Sequence, residues 1–180
     1  MTDTRISVWE LQEYWNYIET LEPGQVIERH IHGSQMPLWD KICSELGWRV
    51  HKLDDGYFDR KRFGYCGVYR LIGLATNEAV SPATISRSCG EDSTGTLYVG
   101  ESGWLNERVN QMRRSLRGEG THGASSLWSR SEILQSKFPR EKLGVAMLFT
   151  NPKMHPWIES DLMSAYLNSF GDTPPLNCSF

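Results

Sequence analysis

The sequence predicts an α/β fold of the α+β kind, in which a small, mainly antiparallel three-stranded sheet is flanked by helices and preceded by an N-terminal helical extension. From residue 65 onward, apolar β-prone segments and amphipathic segments follow in the order strand, strand, helix, helix, strand, helix. That order is typical of a short sheet with helices packed on it. The chain has 180 residues, of which 39% are hydrophobic and 23% charged, so it can bury one core of ordinary composition.

The first sixty residues are predicted to form the extension. The elements predicted there are helices at 7–21 and 36–48 and short strands at 25–31 and 48–53. The charge balance then changes: residues 1–60 hold eleven acidic and six basic residues, whereas residues 61–180 hold eleven acidic and thirteen basic ones. We therefore predict a domain boundary between these two regions. The extension has three interpretations, namely a specificity element, a dimerisation arm or a structural part of the fold.

The region 61–180 is predicted to hold the sheet. Its strands are predicted at 66–75, 95–102 and 143–150, and its helices at 105–118, 126–138 and 155–171. A polar stretch rich in Ser, Thr and Gly at 76–95 separates the first two strands and predicts a long loop or an extended hairpin. Residues 172–177 predict an extended tail.

Bulk charge and cysteine content exclude several classes of protein. A formal net charge of −3 and a pI near 6.0 exclude a general polycation, so any binding to phosphate must come from a local patch. The four cysteines form no C-x-x-C pair and have no histidine at zinc-finger spacing, which argues against a disulfide framework. No signal peptide or membrane span is recognisable, so we expect a cytoplasmic protein without a membrane partner.

Two of the predicted strands carry a tyrosine beside small residues, in the segments GVY (67–69) and YVG (98–100). A single strand tyrosine is usually a packing residue. If the two strands pair, however, Tyr69 and Tyr98 would lie on one face of the sheet. The neighbouring glycines would let a substrate backbone approach closely.

A basic helix follows the second of these strands. Arg108 comes shortly after a Gly-containing turn, where a guanidinium can grip a phosphate with two hydrogen bonds. Arg113, Arg114 and Arg117 form a basic patch on the same helix. This patch fits either a solvated helix face or contact with the backbone of a nucleic acid.

Glu159 is the most informative acidic residue, because apolar residues surround it near the start of the last helix. A carboxylate in a first helical turn can simply complement the helix dipole. It can also hold a hard divalent cation, since Mg²⁺ often takes only one or two protein carboxylates and completes its shell with water and phosphate oxygens. Asn177, near the chain end, is by itself only a tail residue.

Taken in order, these pieces resemble the GIY-YIG nuclease superfamily. The resemblance lies in both tripeptides, each with Val in place of Ile, in Arg108, in Glu159 at the family's metal position, and in an ending that matches the pattern G-x-x-P-x-x-N from Gly171 to Asn177. It covers about two-thirds of the chain. Each tripeptide alone is weak evidence, whereas all five pieces in this order are specific.

The sequence departs from the family's pattern at two points. The gap between the tripeptides is far longer than the usual short hairpin, which indicates an insertion at 76–95. Many members also place His or Tyr one helical turn after the arginine, where this chain has Met112. His122, in a Gly-flanked loop downstream, either replaces the missing group or is a loop histidine without a role.

The resemblance implies a metal-dependent endonuclease that hydrolyses DNA phosphodiester bonds by in-line attack of water and leaves 5′-phosphate and 3′-hydroxyl ends. It implies Tyr69 as the general base, helped by Tyr98 or His122. It further implies that Arg108 neutralises charge at phosphorus and that Glu159 holds one Mg²⁺ or Mn²⁺ ion.

The same resemblance adds Asn177 to the catalytic set and makes DNA the expected partner. The small domain with one appendage favours a restriction-type or mobile-element nuclease, with a homodimer as one arrangement. Two alternatives stay open, namely a non-catalytic nucleic-acid-binding protein that keeps this fold, and a nuclease toxin that cuts RNA.

Overall fold

A computed structural model of the protein describes residues 5–21, 31, 33–60 and 65–177. The described α-helices are α1 (Val8–Glu19), α2 (Trp39–Glu45), α3 (Tyr57–Arg60), α4 (Leu105–Ser115), α5 (Gly123–Arg130), α6 (Glu132–Lys137) and α7 (His155–Phe170). The described strands are β1 (Arg49–Lys52), β2 (Cys66–Gly73), β3 (Ile85–Arg87), β4 (Gly90–Asp92), β5 (Thr96–Ser102) and β6 (Leu143–Thr150). Short 3-10 helices lie at Gly33–Gln35 and Arg140–Lys142.

Four of these strands form the main sheet, in the order β1-β6-β2-β5 with every neighbouring pair antiparallel. The predicted α+β class is therefore confirmed. The sheet has one strand more than predicted, because β1 pairs along β6 and so adds a strand from the segment that the sequence assigned to the extension. The sequence predicted this strand but not its partner, which lies almost a hundred residues further along the chain.

The central strand β2 is buried on both faces of the sheet. Its side chains alternate between the two faces, so they enter two different cores. Val68 and Ile72 point into a first core that they share with buried residues of α1, α2 and α7. Tyr69 and Leu71 point the other way, into a second core that they share with buried residues of α4 and α5. The tyrosine of the first tripeptide therefore lies on the face that carries the basic helix.

The N-terminal helix packs in the same layer as α7. A capping box holds its start, since the Ser7 hydroxyl accepts from the Glu10 amide and the Glu10 carboxylate accepts from the Ser7 amide. In the interior of the layer, Trp15 Nε1 donates to Asp161 Oδ2 of α7 over 2.7 Å. The predicted domain boundary adjoins residues 61–64, which lie outside the described part of the chain, so it stays a prediction. The strand predicted at 25–31 also stays a prediction, because residues 25–30 lie outside the described part.

The insertion at 76–95 contains a hairpin of β3 and β4. Its last residue, Asp92, is fully buried and accepts hydrogen bonds from the Thr96 amide and the Tyr166 hydroxyl. Arg87 forms an ion pair with Asp172, 2.7 Å away, just after α7 ends. The hairpin therefore ties the segment after α7 to the sheet. In the described part of the chain, no helix is both long and apolar enough to cross a membrane.

Candidate active site

Tyr69 and Tyr98 lie side by side on the second-core face. In the β2–β5 ladder Tyr69 stands opposite Gly100, and Tyr98 stands opposite Leu71, so the two tyrosines are diagonal neighbours on one face. Their ring centroids are 5.8 Å apart, with the ring planes tilted by 47°. The pairing of the two tripeptides thus brings both phenols together.

Gly100 makes room for this pair. A Cβ atom at that position would lie 2.5 Å from Cε1 of Tyr98 and 3.0 Å from Cζ of Tyr69. At Gly67 a Cβ would lie 2.1 Å from the Leu148 carbonyl oxygen on β6. The two glycines therefore accommodate the protein's own side chains and backbone, a reason different from the close approach of a substrate that the sequence suggested.

His122 completes a cluster with the two tyrosines. It occupies the N-cap position of α5, and its Nε2 lies 2.9 Å from the Tyr69 hydroxyl. Its ring centroid is 5.7 Å from that of Tyr98. Met112, in contrast, is fully buried in the second core. The loop histidine thus reaches the tyrosine pair although it comes ten residues after Met112.

His122 is held in its neutral form. Burial, and to a lesser extent the positive charge of Arg108, together lower the pKa of the imidazole to about 4. Its Nδ1 atom is buried and has no hydrogen-bond partner among the described residues. When Nδ1 carries the single ring proton, Nε2 is free to accept from the Tyr69 hydroxyl. A neutral imidazole beside a phenol can accept the phenol's proton.

Arg108 is the cation at the centre of the cluster. It lies in the first turn of α4, half-buried, and its Nη1 donates to Gln111 Oε1 over 3.0 Å. Burial raises the pKa of Tyr69 well above its usual value and also raises that of Tyr98, while Arg108 acts against burial at both phenols. Tyr69 is fully buried, whereas Tyr98 keeps part of its surface exposed.

Glu159 faces the same cluster from α7. Burial and the negative charge of the nearby Glu101 together raise the pKa of its carboxyl group to about 7, against the opposing charge of Arg108. Because α7 begins at His155, Glu159 lies in the second helical turn. The sequence had suggested the first turn. A simple role in complementing the helix dipole is therefore disfavoured.

Glu101 and His155 are two residues of this site that the sequence interpretation missed. Glu101 Oε2 and His155 Nδ1 form a short contact. The signals were present, because Glu101 directly follows the second tripeptide and His155 stands four residues, about one helical turn, before Glu159. They became visible only once β5 and α7 were placed together.

Asn177 supports the strand that carries Tyr98. Its Oδ1 accepts from the Val99 amide over 2.9 Å, and its Nδ2 donates to the Val99 carbonyl over 2.8 Å. Both polar ends of the amide are thus engaged by the free edge of β5, beside the amide of Leu176, which donates to the Leu97 carbonyl. These contacts give Asn177 a positioning role at the strand that carries Tyr98, and its place in the catalytic set stays a prediction.

The three further arginines of the basic patch have different surroundings. Arg113 is 5% exposed, and its guanidinium lies 5.3 Å from the centre of the Phe58 ring. It therefore does not belong to the surface predicted to contact DNA. The reason is geometric, since Arg113 follows the buried Met112 on the inward side of α4. Arg117 is exposed and lies 3.4 Å from Asp54. Arg114 is exposed and borders a groove.

Two adjoining grooves give access to this cluster. One, of about 300 Å³, is lined by Ser102, Trp104, Glu107, Arg108, Gln111 and Arg114. The other, of about 510 Å³, runs from Arg108 and Gln111 to His122 and Ser126 along a glycine-containing loop. Since the grooves share Arg108 and Gln111, an extended anionic chain laid along α4 would pass over the Arg108 guanidinium.

The donor set around Glu159 fits a hard divalent cation. Two carboxylates, Glu159 and Glu101, influence each other in a half-buried setting, and a divalent charge would relieve the repulsion that raises the pKa of Glu159. Within the described ranges, no group of three or more His, Cys, Asp or Glu side chains is arranged to hold a metal ion. A cation here would therefore take one or two protein oxygens and complete its shell with water and substrate.

Comparisons of the chain with protein-family models, with curated proteins and with solved structures found no match.

Proposed function

We propose that this chain is a metal-dependent endonuclease of the GIY-YIG type that hydrolyses phosphodiester bonds in DNA. One observation carries the proposal: the Tyr69 hydroxyl and His122 Nε2, from residues 53 positions apart, meet at 2.9 Å beside Tyr98 and Arg108. Core packing alone does not require two phenols, an imidazole and a guanidinium at one point. The arrangement supports proton transfer next to a binding site for an anion.

The high pKa of Tyr69 shapes the first step. A free phenolate is costly in this buried place, so the phenol gives its proton to His122 Nε2 as its oxygen takes a proton from the attacking water. The hydroxide so formed attacks phosphorus in line, the bond to the 3′-oxygen breaks, and that oxygen takes a proton from solvent. Tyr98, the more exposed phenol, orients the water.

An incoming phosphate assists the histidine in this relay. Burial and Arg108 are the two causes that lower the pKa of His122 in the free protein. A phosphate bound to the guanidinium neutralises the positive charge of Arg108 and so raises the pKa of His122. His122 is therefore a better proton acceptor when substrate is present.

Arg108 stabilises the transition state. Its position between the two grooves lets the guanidinium hold the non-bridging oxygens, on which negative charge grows as water attacks. Glu159, with Glu101 beside it, would hold Mg²⁺ or Mn²⁺, which when bound stabilises the charge on the leaving 3′-oxygen. Glu159 itself does not exchange protons with the substrate in this scheme.

Met112, at the position where many members of that superfamily carry His or Tyr, is the sequence feature that most favours a non-catalytic protein with the same fold. Since His122 contacts Tyr69 directly, the group that many family members place one turn after the arginine has a substitute here. We therefore favour the enzyme over the non-catalytic binder. A restriction-type or mobile-element role, action on DNA and not RNA, and a homodimer all belong to the proposal.

The test is a nicking assay on supercoiled plasmid with Mg²⁺, with Mn²⁺ and with EDTA. We expect cleavage with either metal and none with EDTA. Glu159→Gln keeps the shape of the side chain but removes the charge, so this variant should bind DNA and not cleave it. Glu132→Gln, an exposed helix glutamate on α6, is the matched control and should cleave like wild type.

Two results would contradict the proposal. Metal-independent cleavage by Glu159→Gln would remove the one-metal scheme. Wild-type protein that binds DNA without cleaving it under any of these metal conditions would establish the non-catalytic alternative, and cleavage of RNA but not DNA of the same sequence would establish the RNA-cutting one.

A further inference from the structure

Trp104 stands at the mouth of the smaller groove. Its side chain is 65% exposed, and it lies on the turn between β5 and α4, four residues before Arg108. Large aromatic side chains are costly to leave in water, because each can bury a large apolar area. An exposed tryptophan in this place therefore calls for an explanation.

Local structure does not supply one. Trp104 occupies the N-cap position of α4, where Ser, Thr, Asp or Asn would satisfy a free helix amide and where tryptophan makes no side-chain cap hydrogen bond. The neighbouring Ser102 hydroxyl accepts from the Trp104 amide over 3.0 Å, so the turn is held by another residue. The sequence thus gives up a favourable cap in order to place an indole at the groove.

The rest of the groove has the chemistry of a nucleotide site. Arg108 and Arg114 supply two cations and Gln111 a polar amide, and Glu107 is the acidic member among the described lining residues. An aromatic ring beside arginines is the combination by which proteins hold single-stranded nucleic acids, with the ring stacking on a base and the cations holding the backbone.

We propose that Trp104 stacks on an unpaired nucleobase next to the scissile phosphate, with Arg108 on that phosphate and Arg114 on a neighbouring one. The inference rests on the proposed function and narrows its substrate to DNA with an accessible base, such as a single strand, a flap or an extruded nucleotide. A fully paired duplex does not offer its bases for such stacking.

Equilibrium binding in EDTA tests this without any cleavage. The probes are a labelled oligothymidylate, an abasic oligonucleotide of the same length, and the oligothymidylate paired with its complement, all at one salt concentration. Trp104→Ala should weaken oligothymidylate binding about 5- to 150-fold, since one base–aromatic stack is lost. It should leave binding of the abasic strand and of the duplex within about twofold.

Trp9→Ala is the matched control. Trp9 is also 65% exposed, but it lies on α1, on the opposite face of the sheet. The Trp9→Ala variant should bind all three probes like wild type. An equal loss for Trp9→Ala, an equal loss on the abasic strand, or an equal loss on the duplex would each overturn the proposal.

A stability measurement separates this role from a structural one. Trp104→Ser introduces a preferred N-cap residue, so its thermal unfolding midpoint should equal or exceed that of wild type while oligothymidylate binding falls as for Trp104→Ala. A clear drop in the midpoint would make Trp104 a packing residue and overturn the inference. Because no cleavage is measured, base-dependent binding would stand even if the protein proved not to be a nuclease.

Discussion

Replacing Gly100 by Ala should disable the site through a single methyl group. The new Cβ would lie 2.5 Å from Tyr98 Cε1 and 2.9 Å from the Tyr98 hydroxyl oxygen, while carbon atoms in contact prefer about 3.5–4.0 Å. The Tyr98 ring must therefore move by roughly 1 Å. Such overpacking in a close-packed interior costs about 1–3 kcal/mol of folding free energy.

The effect on cleavage should exceed the effect on stability. A displacement of about 1 Å at reacting groups lowers turnover about 10²-fold, because proton transfer depends on close alignment. Urea unfolding measures the first quantity and single-turnover plasmid nicking measures the second. Gly56→Ala is the control, since no described atom lies within 4 Å of its added Cβ, and it should leave both quantities near wild type. Cleavage within a few-fold of wild type by Gly100→Ala would refute the claim that this glycine sets the phenol geometry.

Three further predictions concern the other members of the cluster. Arg108→Ala should lower turnover about 10²–10³-fold with little loss of DNA affinity, whereas Arg114→Ala should lower affinity and spare turnover; equal behaviour in single-turnover and binding assays would make Arg108 a mere surface charge. Tyr69→Phe should lower turnover about 10²–10⁴-fold and Tyr98→Phe should lower it less, and the reverse order in the same assay would exchange their roles. The folded-state pKa of His122 is lowered from its usual 6.5 to about 4, so the neutral imidazole contributes stability that is fully present above pH 6.5. As pH falls from 6.5 toward 4, the free energy of unfolding should decrease by up to about 3 kcal/mol. Urea unfolding between these pH values should show a steeper decline for wild type than for His122→Gln, and parallel curves would contradict the buried neutral imidazole.

The class of the fold was readable from the sequence because it depends on short-range pattern. The apolar, β-prone runs of β2 and β5 and the helical spacing in α1 appear in the structure as the predicted strands and helix. The tyrosine pair was predictable for the same reason, since two strands joined through one insertion commonly pair and a period of two fixes which residues share a face.

Contacts that depend on long-range geometry could not be predicted from the sequence. The direction of Arg113 follows from how α4 rotates against the second core, and a charge pattern cannot distinguish an outward arginine from one stacked on Phe58. The role of Asn177 depends on the tail lying along the free edge of β5. The approach of Glu101 to His155 depends on the angle between β5 and α7, about which local sequence carries no information.

The described part of the N-terminal segment contributes to the site from the opposite face of the sheet. Trp15 on α1 holds Asp161, which lies two residues beyond Glu159 on α7. The hydrogen bond joins positions 146 residues apart and fixes the helix near the turn that places Glu159 close to Arg108 and Tyr98. Residues of the segment thus help to position an acidic group that they do not touch.

A second link runs through Arg70, the neighbour of Tyr69 on β2. Arg70 is 3% exposed, and a buried guanidinium is costly unless other groups replace the water it loses. Its Nη1 donates to Cys43 Sγ over 2.6 Å, and its guanidinium carbon lies 4.8 Å and 5.5 Å from the ring centres of Trp48 and Trp39. Since these three partners all come from the first sixty residues, the segment is bound to the strand that carries the proposed base. Of its three interpretations, a structural part of the fold is the one that these contacts favour, because without the segment Arg70 would lose these three partners and keep only its hydrogen bonds to Thr94 and Thr96 among the described ones.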